Sequence, residues 1–154
     1  MPDTLPLLIA EDGDRYLDAL AAEVHRTYFA KVPPLPVRWG QQISRKRRRS
    51  IRLGSYNHHT VEIRIHPLLK ARNIPAFFIQ SIIHHEYLHH LLGASHNRRF
   101  HAAERKYRYY RESQEWIRRN LFVLLGRRKS ELQPRGAPAA PIPSRTEVHQ
   151  MVLF

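Results

Sequence analysis

The residues with the clearest potential for chemistry lie in one apolar run, SIIHHEYLHHLLGASHNRRFH, which spans positions 81–101 and holds six histidines and one glutamate. Within this run, HEYLH matches H-E-x-x-H, in which two imidazoles lie one helical turn apart on the same face. His85 and His89 could therefore bind one zinc ion, each at roughly 2.0–2.1 Å. Glu86 lies about 100° further around the helix, where it could act on a metal-bound water without being a ligand.

A catalytic zinc site needs a third protein ligand, and the chain contains no cysteine that could supply it. The downstream candidates are His96 and His101. We expect the segment LLGAS to reverse the chain and bring His96 back toward the helix, so His96 is the preferred ligand. His101 falls in the next helical segment, where it could orient substrate, stabilise an oxyanion or be a plain surface histidine.

Several other polar side chains flank the motif. His84 and His90 lie on other faces of the helix, and we expect them to be in solvent or hydrogen-bonded to the ligands. The sequence does not rank the candidates for stabilising an oxyanion, which are Tyr56, Tyr107, Tyr110 and His101.

The elements that must position these residues follow from periodicity and from breaker residues. An amphipathic helix is predicted over residues 14–29, and the prolines of KVPPLP end it before a short strand at 37–39. The segments SIRLGSY and TVEIRIH flank a turn at NHH and predict a small antiparallel sheet. One face of its second strand should be buried, because Val61, Ile63 and Ile65 alternate with Glu62 and Arg64.

The histidine motif itself falls on a helix predicted to begin after Pro75, to run to about Leu92 and to stop at Gly93. This helix is apolar nearly all round, with Phe77, Leu88 and Leu91 outside the stripe that carries the histidines, so it should occupy the centre of the domain. A further helical region is predicted over 97–124, with a bend near Tyr109.

The length of 154 residues predicts one domain, which we place at residues 1–126. Residues 127–154 form a proline-rich tail that is predicted to be disordered; its last four residues, MVLF, either dock or fray. The first residues, MPDTLPLLIAEDGD, resemble neither a secretory signal nor a membrane span. We therefore expect a cytoplasmic protein with no membrane partner.

A formal net charge of +13 raises the affinity of the chain for polyanions in general. The cations are concentrated at 44–52, 98–111 and 126–130. A solubilising surface explains them equally well, because charge alone carries no sequence information. The candidate nucleic-acid-binding residues are Arg45, Lys46, Arg47, Arg48 and Arg49.

Taken together, three segments resemble the SprT-like and YgjP-like zinc metallopeptidases: SIRLGSYNHHTVEIRIHPLL, then IPAFFIQSIIHHEYLHHLLGASHNRRFHAAERKY, then YRESQEWIRRNL. The resemblance covers roughly residues 36–121 and is most specific in the joint spacing of H-E-x-x-H and HNRRF. It implies an α+β, compact zincin-like fold, with an N-terminal helix, the small antiparallel sheet, the central helix and C-terminal helices. It also implies a catalytic Zn²⁺ held by His85, His89 and His96. The interval between His89 and His96 is closer to the YgjP-like branch, and no zinc ribbon is present.

The leading hypothesis is a zinc-dependent peptidase in which Glu86 is the general base, acting on unfolded or nucleic-acid-associated proteins. The alternative is a basic nucleic-acid-binding module with a non-catalytic metal site, in which KYRYYR could stack on bases. A metal-binding or metal-free scaffold without turnover is a third possibility. Three histidines favour the enzyme, because structural zinc sites are normally closed by four ligands.

Overall fold

Four α-helices and a small three-stranded sheet dominate the computed structural model, which describes residues 13–41, 50–70, 74–125 and 152–153. This mixed α+β class is the one predicted from the sequence. The elements are α1 (Gly13–Tyr28), β1 (Val37–Trp39), β2 (Ile51–Arg52), β3 (Gly54–Asn57), β4 (Glu62–Ile65), a 3₁₀ turn (Pro67–Lys70), α2 (Ala76–Leu92), α3 (Arg98–Glu104), α4 (Tyr110–Leu124) and β5 (Val152–Leu153).

The main sheet has the order β1-β4-β3 and is mixed, so the prediction of an antiparallel sheet was wrong in part. β3 and β4 form the expected antiparallel hairpin, in which Tyr56 pairs with Ile63. β1 lies parallel to β4, with Val37 opposite Ile63. Parallel neighbours require a long connection instead of a tight turn. Here residues 40–61 provide it, and β3 lies within that connection.

The hairpin turn is longer than the predicted NHH, so Val61 lies in the turn and not in the strand. This residue ends the turn with a φ of 55° and is 39% exposed, although we predicted it on the buried face of the strand. The strand begins only at Glu62, and Ile63 and Ile65 are fully buried as predicted. A positive φ is unusual for a β-branched residue, and nothing in the sequence indicated it. The alternation of apolar and polar residues therefore placed the start of the strand one residue too early.

Helix α2 fills the centre of the fold, where it contacts α1, β3, β4, α3 and α4. Every residue from Ile82 to Leu88 is buried. The helix begins after Pro75 and ends at Gly93, which has a φ of 91°. Both boundaries agree with the sequence prediction. The prediction that the helix is buried nearly all round fails at Leu91, which is 44% exposed in the last turn.

The predicted helical region over 97–124 is two helices separated at residues 105–109. Asn97 caps α3 by accepting a hydrogen bond from the backbone N–H of Phe100, at 2.9 Å. Tyr107 is buried in the break, and its hydroxyl donates to the carbonyl of Phe77 at 2.7 Å. The backbone N–H of Arg108 donates to the hydroxyl of Tyr28. These bonds attach the break to α2 and α1.

Residues beyond α4 are described only at Val152–Leu153, which pair in parallel with Ile51–Arg52. The apolar end MVLF is therefore docked on the domain at these two residues. The rest of the predicted tail lies outside the described residues. No helix in the described part of the chain combines the length and apolar character that crossing a bilayer requires.

The buried hydroxyl of Tyr107 gives a prediction for stability at high pH. Burial raises the pKa of Tyr107 above its ordinary value of 10.0, and nearby Tyr28 and Tyr109 add to the effect. The folded chain thus resists ionisation that the unfolded chain undergoes near pH 10, so this stability is present below pH 10 and is lost as pH rises further. At pH 7, Tyr107→Phe should lower the free energy of unfolding by about 1 kcal/mol, because the carbonyl of Phe77 loses its donor.

In urea unfolding, the difference between the parent and Tyr107→Phe should shrink as pH is raised from 9 to 11. Tyr109→Phe, at an exposed position, is the matched control and should unfold like the parent. A difference that stays constant over this range would contradict the role assigned to the buried hydroxyl.

Candidate metal centre

The three histidines predicted as zinc ligands lie together in the structure. His85 and His89 sit one turn apart in α2, with their Nε2 atoms 3.1 Å apart. The chain then reverses after Gly93, and Nε2 of His96 lies 3.0 Å from Nε2 of His89. The potential ligand atoms of all three residues are within 4.8 Å of one another. The cluster therefore has the dimensions of a site for one ion.

The hydrogen bonds of the opposite ring nitrogens set the protonation of two of these histidines. Nδ1 of His89 bonds to the carbonyl of Gly93 at 3.0 Å, and Nδ1 of His85 bonds to the carboxylate of Glu104. Both partners accept, so in each neutral ring the proton is on Nδ1 and a lone pair is on Nε2. Two lone pairs that face each other repel unless a cation lies between them. Ligands of a tetrahedral zinc would be about 3.3 Å apart, which is close to the observed spacing.

Phe100 forms a wall behind all three rings. It is completely buried, and its ring centroid lies 4.8 Å from that of His85, 4.7 Å from His89 and 4.9 Å from His96. The N-cap at Asn97 begins α3 at the position that places Phe100 against the cluster. The spacing of His96 and Phe100 in HNRRF therefore has a packing explanation.

The electrostatics at His89 and His96 favour neutral imidazoles, the form that binds metals. Burial, followed by the neighbouring His85 and His89, lowers the pKa of His96 to about 4. Burial also lowers the pKa of His89, against an opposing hydrogen bond to Gly93. Metal binding would thus compete with few protons at neutral pH.

Glu86 is a buried carboxyl group beside the cluster. Its residue is 1% exposed, and Oε1 has no hydrogen-bond partner among the described residues. Burial raises the pKa of Glu86 to about 8, Arg52 opposes this change and Glu104 adds to it. An unsatisfied buried carboxyl group is destabilising by itself. A divalent cation on the adjacent histidines would favour its charged form, so the residues present fit a metal.

The backbone of β3 approaches Glu86 closely at Gly54. A Cβ atom added to Gly54 would lie 2.4 Å from Cγ2 of Ile82 and 2.9 Å from Oε1 of Glu86. Any side chain at this position would displace α2 or the carboxyl group. The pairing of β3 with β4 thus holds Glu86 in place from the sheet side.

His84 and His90, which flank the motif in α2, have partners outside the cluster. His84 was predicted in solvent or bonded to the ligands, but it is buried against the rings of Tyr28, Phe29 and Tyr107 at 5.0–5.4 Å. Burial lowers its pKa to about 4. The prediction was wrong because α2 has no wet face at this turn. His90 is partly buried, and its Nδ1 is hydrogen-bonded to the hydroxyl of Tyr56 at 2.6 Å.

His101 does not join the three clustered imidazoles. Its Nδ1 lies 3.4 Å from Oε1 of Glu104, and its ring centroid is 6.3 Å from that of His96. Among the predicted oxyanion donors, Tyr107 has its hydroxyl committed to Phe77 and Tyr56 has its hydroxyl committed to His90. The hydroxyl proton of Tyr107 is therefore not available for that role in this structure.

Sequence reasoning missed Glu104, which hydrogen-bonds His85 and His101. Its spacing was a usable signal, because it follows Phe100 by four residues and His101 by three and so shares their helix face. The predicted nucleic-acid-binding residues Arg45 to Arg49 lie outside the described residues.

The close approach at Gly54 yields a prediction. Gly54→Ala should lower the free energy of unfolding by about 1–3 kcal/mol, because the added methyl group overpacks the contact with Ile82 and Glu86. Gly40→Ala is the matched control, since its Cβ would meet the nearest atom, the carbonyl oxygen of Ile65, at an ordinary 3.5 Å. Urea unfolding of both variants measures the difference, and equal stabilities would argue against this packing.

No protein-family model, curated protein or solved structure matches this chain.

Proposed function

We propose that this chain is a zinc-dependent peptidase with a zincin-like fold, related to the SprT-like and YgjP-like metallopeptidases. The observation that carries the proposal is the convergence of three imidazoles beside a buried glutamate, with Nε2 of His89 3.1 Å from that of His85 and 3.0 Å from that of His96. The proposal accounts for both otherwise unfavourable features of this region, namely the opposed lone pairs and the unpartnered Oε1 of Glu86.

The donor set supports zinc and an open site. Imidazole nitrogen suits zinc among the common metals, and three protein ligands leave a further position for substrate or water. A structural site would require a fourth protein ligand, and the described residues contain no other histidine, cysteine or carboxylate within this group. The donor set thus favours catalysis over a structural role.

The reaction we propose is hydrolysis of a peptide bond. A bound zinc ion would supply Lewis acidity, which polarises the scissile carbonyl and eases the ionisation of water at neutral pH. Glu86 takes a proton from the attacking water, and the water oxygen bonds to the carbonyl carbon. Glu86 then delivers that proton to the leaving nitrogen as the C–N bond breaks. Its buried position keeps the transferred proton away from solvent.

The position of β3 suggests how substrate is held. β3 is the outer strand of the sheet order β1-β4-β3, and its Gly54 lies against Glu86. An extended peptide could pair with such an edge through main-chain hydrogen bonds, which demand little of its side chains. We therefore propose unfolded or flexible protein segments as the substrate class.

Substitutions at the two central residues test this function. Glu86→Gln should bind zinc like the parent but lose about 10²–10⁴-fold in casein hydrolysis, because the amide cannot take the proton. His85→Ala should lose both zinc and hydrolysis. Zinc content is measured on the purified full chain, and hydrolysis on unfolded casein.

Two substitutions outside the cluster serve as controls. His58→Ala changes an exposed histidine in the β3–β4 turn, and Glu112→Gln changes an exposed carboxylate in α4; both should bind zinc and cleave casein like the parent. Full activity in Glu86→Gln would disprove its role as base. A parent chain that binds no zinc would disprove the metallopeptidase.

Polyanion binding is a second candidate, favoured by six exposed cations between residues 98 and 111. None of the six forms an ion pair among the described residues; they are Arg98, Arg99, Arg105, Lys106, Arg108 and Arg111. Of the tyrosines predicted to stack on bases, Tyr107 is buried in the core, whereas Tyr109 is 37% exposed. Charge therefore supports this candidate more than stacking does.

Salt dependence tests the second candidate. If Arg98 and Arg99 contact phosphates, their joint replacement by glutamine should reduce the slope of log K against log salt on duplex DNA by up to about 1.8. Joint replacement of Arg118 and Arg119 removes the same charge from side chains paired with Glu115 and should change the slope less. Equal slopes for both double variants would argue against a specific polyanion surface.

A further inference from the structure

The carboxylate of Glu104 lies between a buried histidine, His85, and a partly exposed one, His101. One oxygen, Oε2, bonds to Nδ1 of His85, and the other, Oε1, lies 3.4 Å from Nδ1 of His101. The side chain of His85 is 7% exposed, that of His101 is 40% exposed and that of Glu104 is 14% exposed. The carboxylate thus connects the most buried imidazole of the cluster to one at the surface.

Helix stability does not explain this carboxylate. Glu104 is the last residue of α3, and a negative charge in the last turn of a helix is opposed by the helix dipole. Its two oxygens instead face Nδ1 of His85 and Nδ1 of His101. The local environment that favours the charged carboxylate is therefore the pair of imidazoles.

A carboxylate on Nδ1 has two effects on a metal-binding imidazole. It fixes the tautomer whose lone pair is on Nε2, and it makes that nitrogen more basic. His89 obtains only the first effect, because its Nδ1 partner is the neutral carbonyl of Gly93. Glu104 thus gives His85 a charged Nδ1 partner, which His89 does not have.

We propose that Glu104 is a positioning residue of the metal centre, which fixes the tautomer and orientation of His85 with one oxygen and holds His101 beside the cluster with the other. This inference rests on the proposed zinc site. It goes beyond that proposal because it assigns part of the affinity for the ion to a residue that does not touch the ion.

Glu104→Gln tests this role, because it removes both the charge and one of the two accepting oxygens. Its amide has a single accepting oxygen, so it can hold one imidazole but not both, and it carries no charge. Glu104→Gln should therefore weaken binding of Zn²⁺ about 10–100-fold, measured on the full chain by competition with a chromophoric chelator. The visible absorption bands of the Co²⁺-loaded chain should also shift, because they report directly on the ligands.

Two controls isolate the path through His85. Glu115→Gln makes the same change in charge at a carboxylate bonded to Arg118 and Arg119, and should bind Zn²⁺ like the parent. His101→Asn removes the surface imidazole but leaves the bond between Glu104 and His85, so its affinity should stay within a few-fold of that of the parent. A loss in His101→Asn as large as that in Glu104→Gln would overturn the assignment to His85.

Stability of the metal-free chain separates positioning from simple packing. If Glu104→Gln lowers the free energy of unfolding in chelator but binds Zn²⁺ like the parent, the carboxylate is only structural and the inference is wrong. If this variant does not fold, Glu104→Asp keeps the charge but shortens the reach, and should show at least about a 10-fold loss of affinity. Unchanged affinity in Glu104→Asp would then overturn the inference.

The outcome also distinguishes this inference from the proposed function. A parent chain without affinity for Zn²⁺ would disprove both the proposed function and the role of Glu104. A parent that binds Zn²⁺ and cleaves casein, together with an unaffected Glu104→Gln, would remove the role of Glu104 alone.

Discussion

The constraint on which the rest of the structure depends is the complete burial of the central two turns of α2, from Ile82 to Leu88. Each polar side chain on such a helix must find a partner inside the protein, because no water is available to replace one. Gln80 bonds to the carbonyl of Leu20 and to Glu23, and His84 sits as a neutral ring among aromatic side chains. Only the region from His85 to His89 departs from this rule within α2. There, two lone pairs face each other and a carboxyl oxygen has no partner among the described residues.

The surrounding elements can be understood as the supports of this region. The sheet contributes Gly54 where its backbone approaches Glu86. The turn after Gly93 and the cap at Asn97 fix where α3 begins; His96 precedes this cap, and α3 contributes Phe100 and Glu104 to the same side of α2. Each support comes from a different stretch of sequence, so the site depends on the tertiary fold and not on the helical motif alone.

Local signals in the sequence predicted a large part of this arrangement. Proline and glycine marked both ends of α2, and the reversal after Gly93 correctly predicted that His96 returns to the helix. Apart from the local error at Val61, the failures were long-range. The parallel pairing of β1 with β4 has no local signature, and the burial of His84 depends on which elements surround α2. Glu104 was missed because its spacing from Phe100 and His101 shows a shared helix face but not the contact with His85.

Phe100 has a broader consequence for how such a centre can change over time. Because one ring supports three imidazoles that come from two segments, the ligands form a single packing unit and not three independent attachments. A smaller residue there would leave a void that all three neighbours share, and their relative spacing would relax together. Gradual drift of one ligand at a time is therefore disfavoured, and the cluster would tend to be inherited or dismantled as a whole.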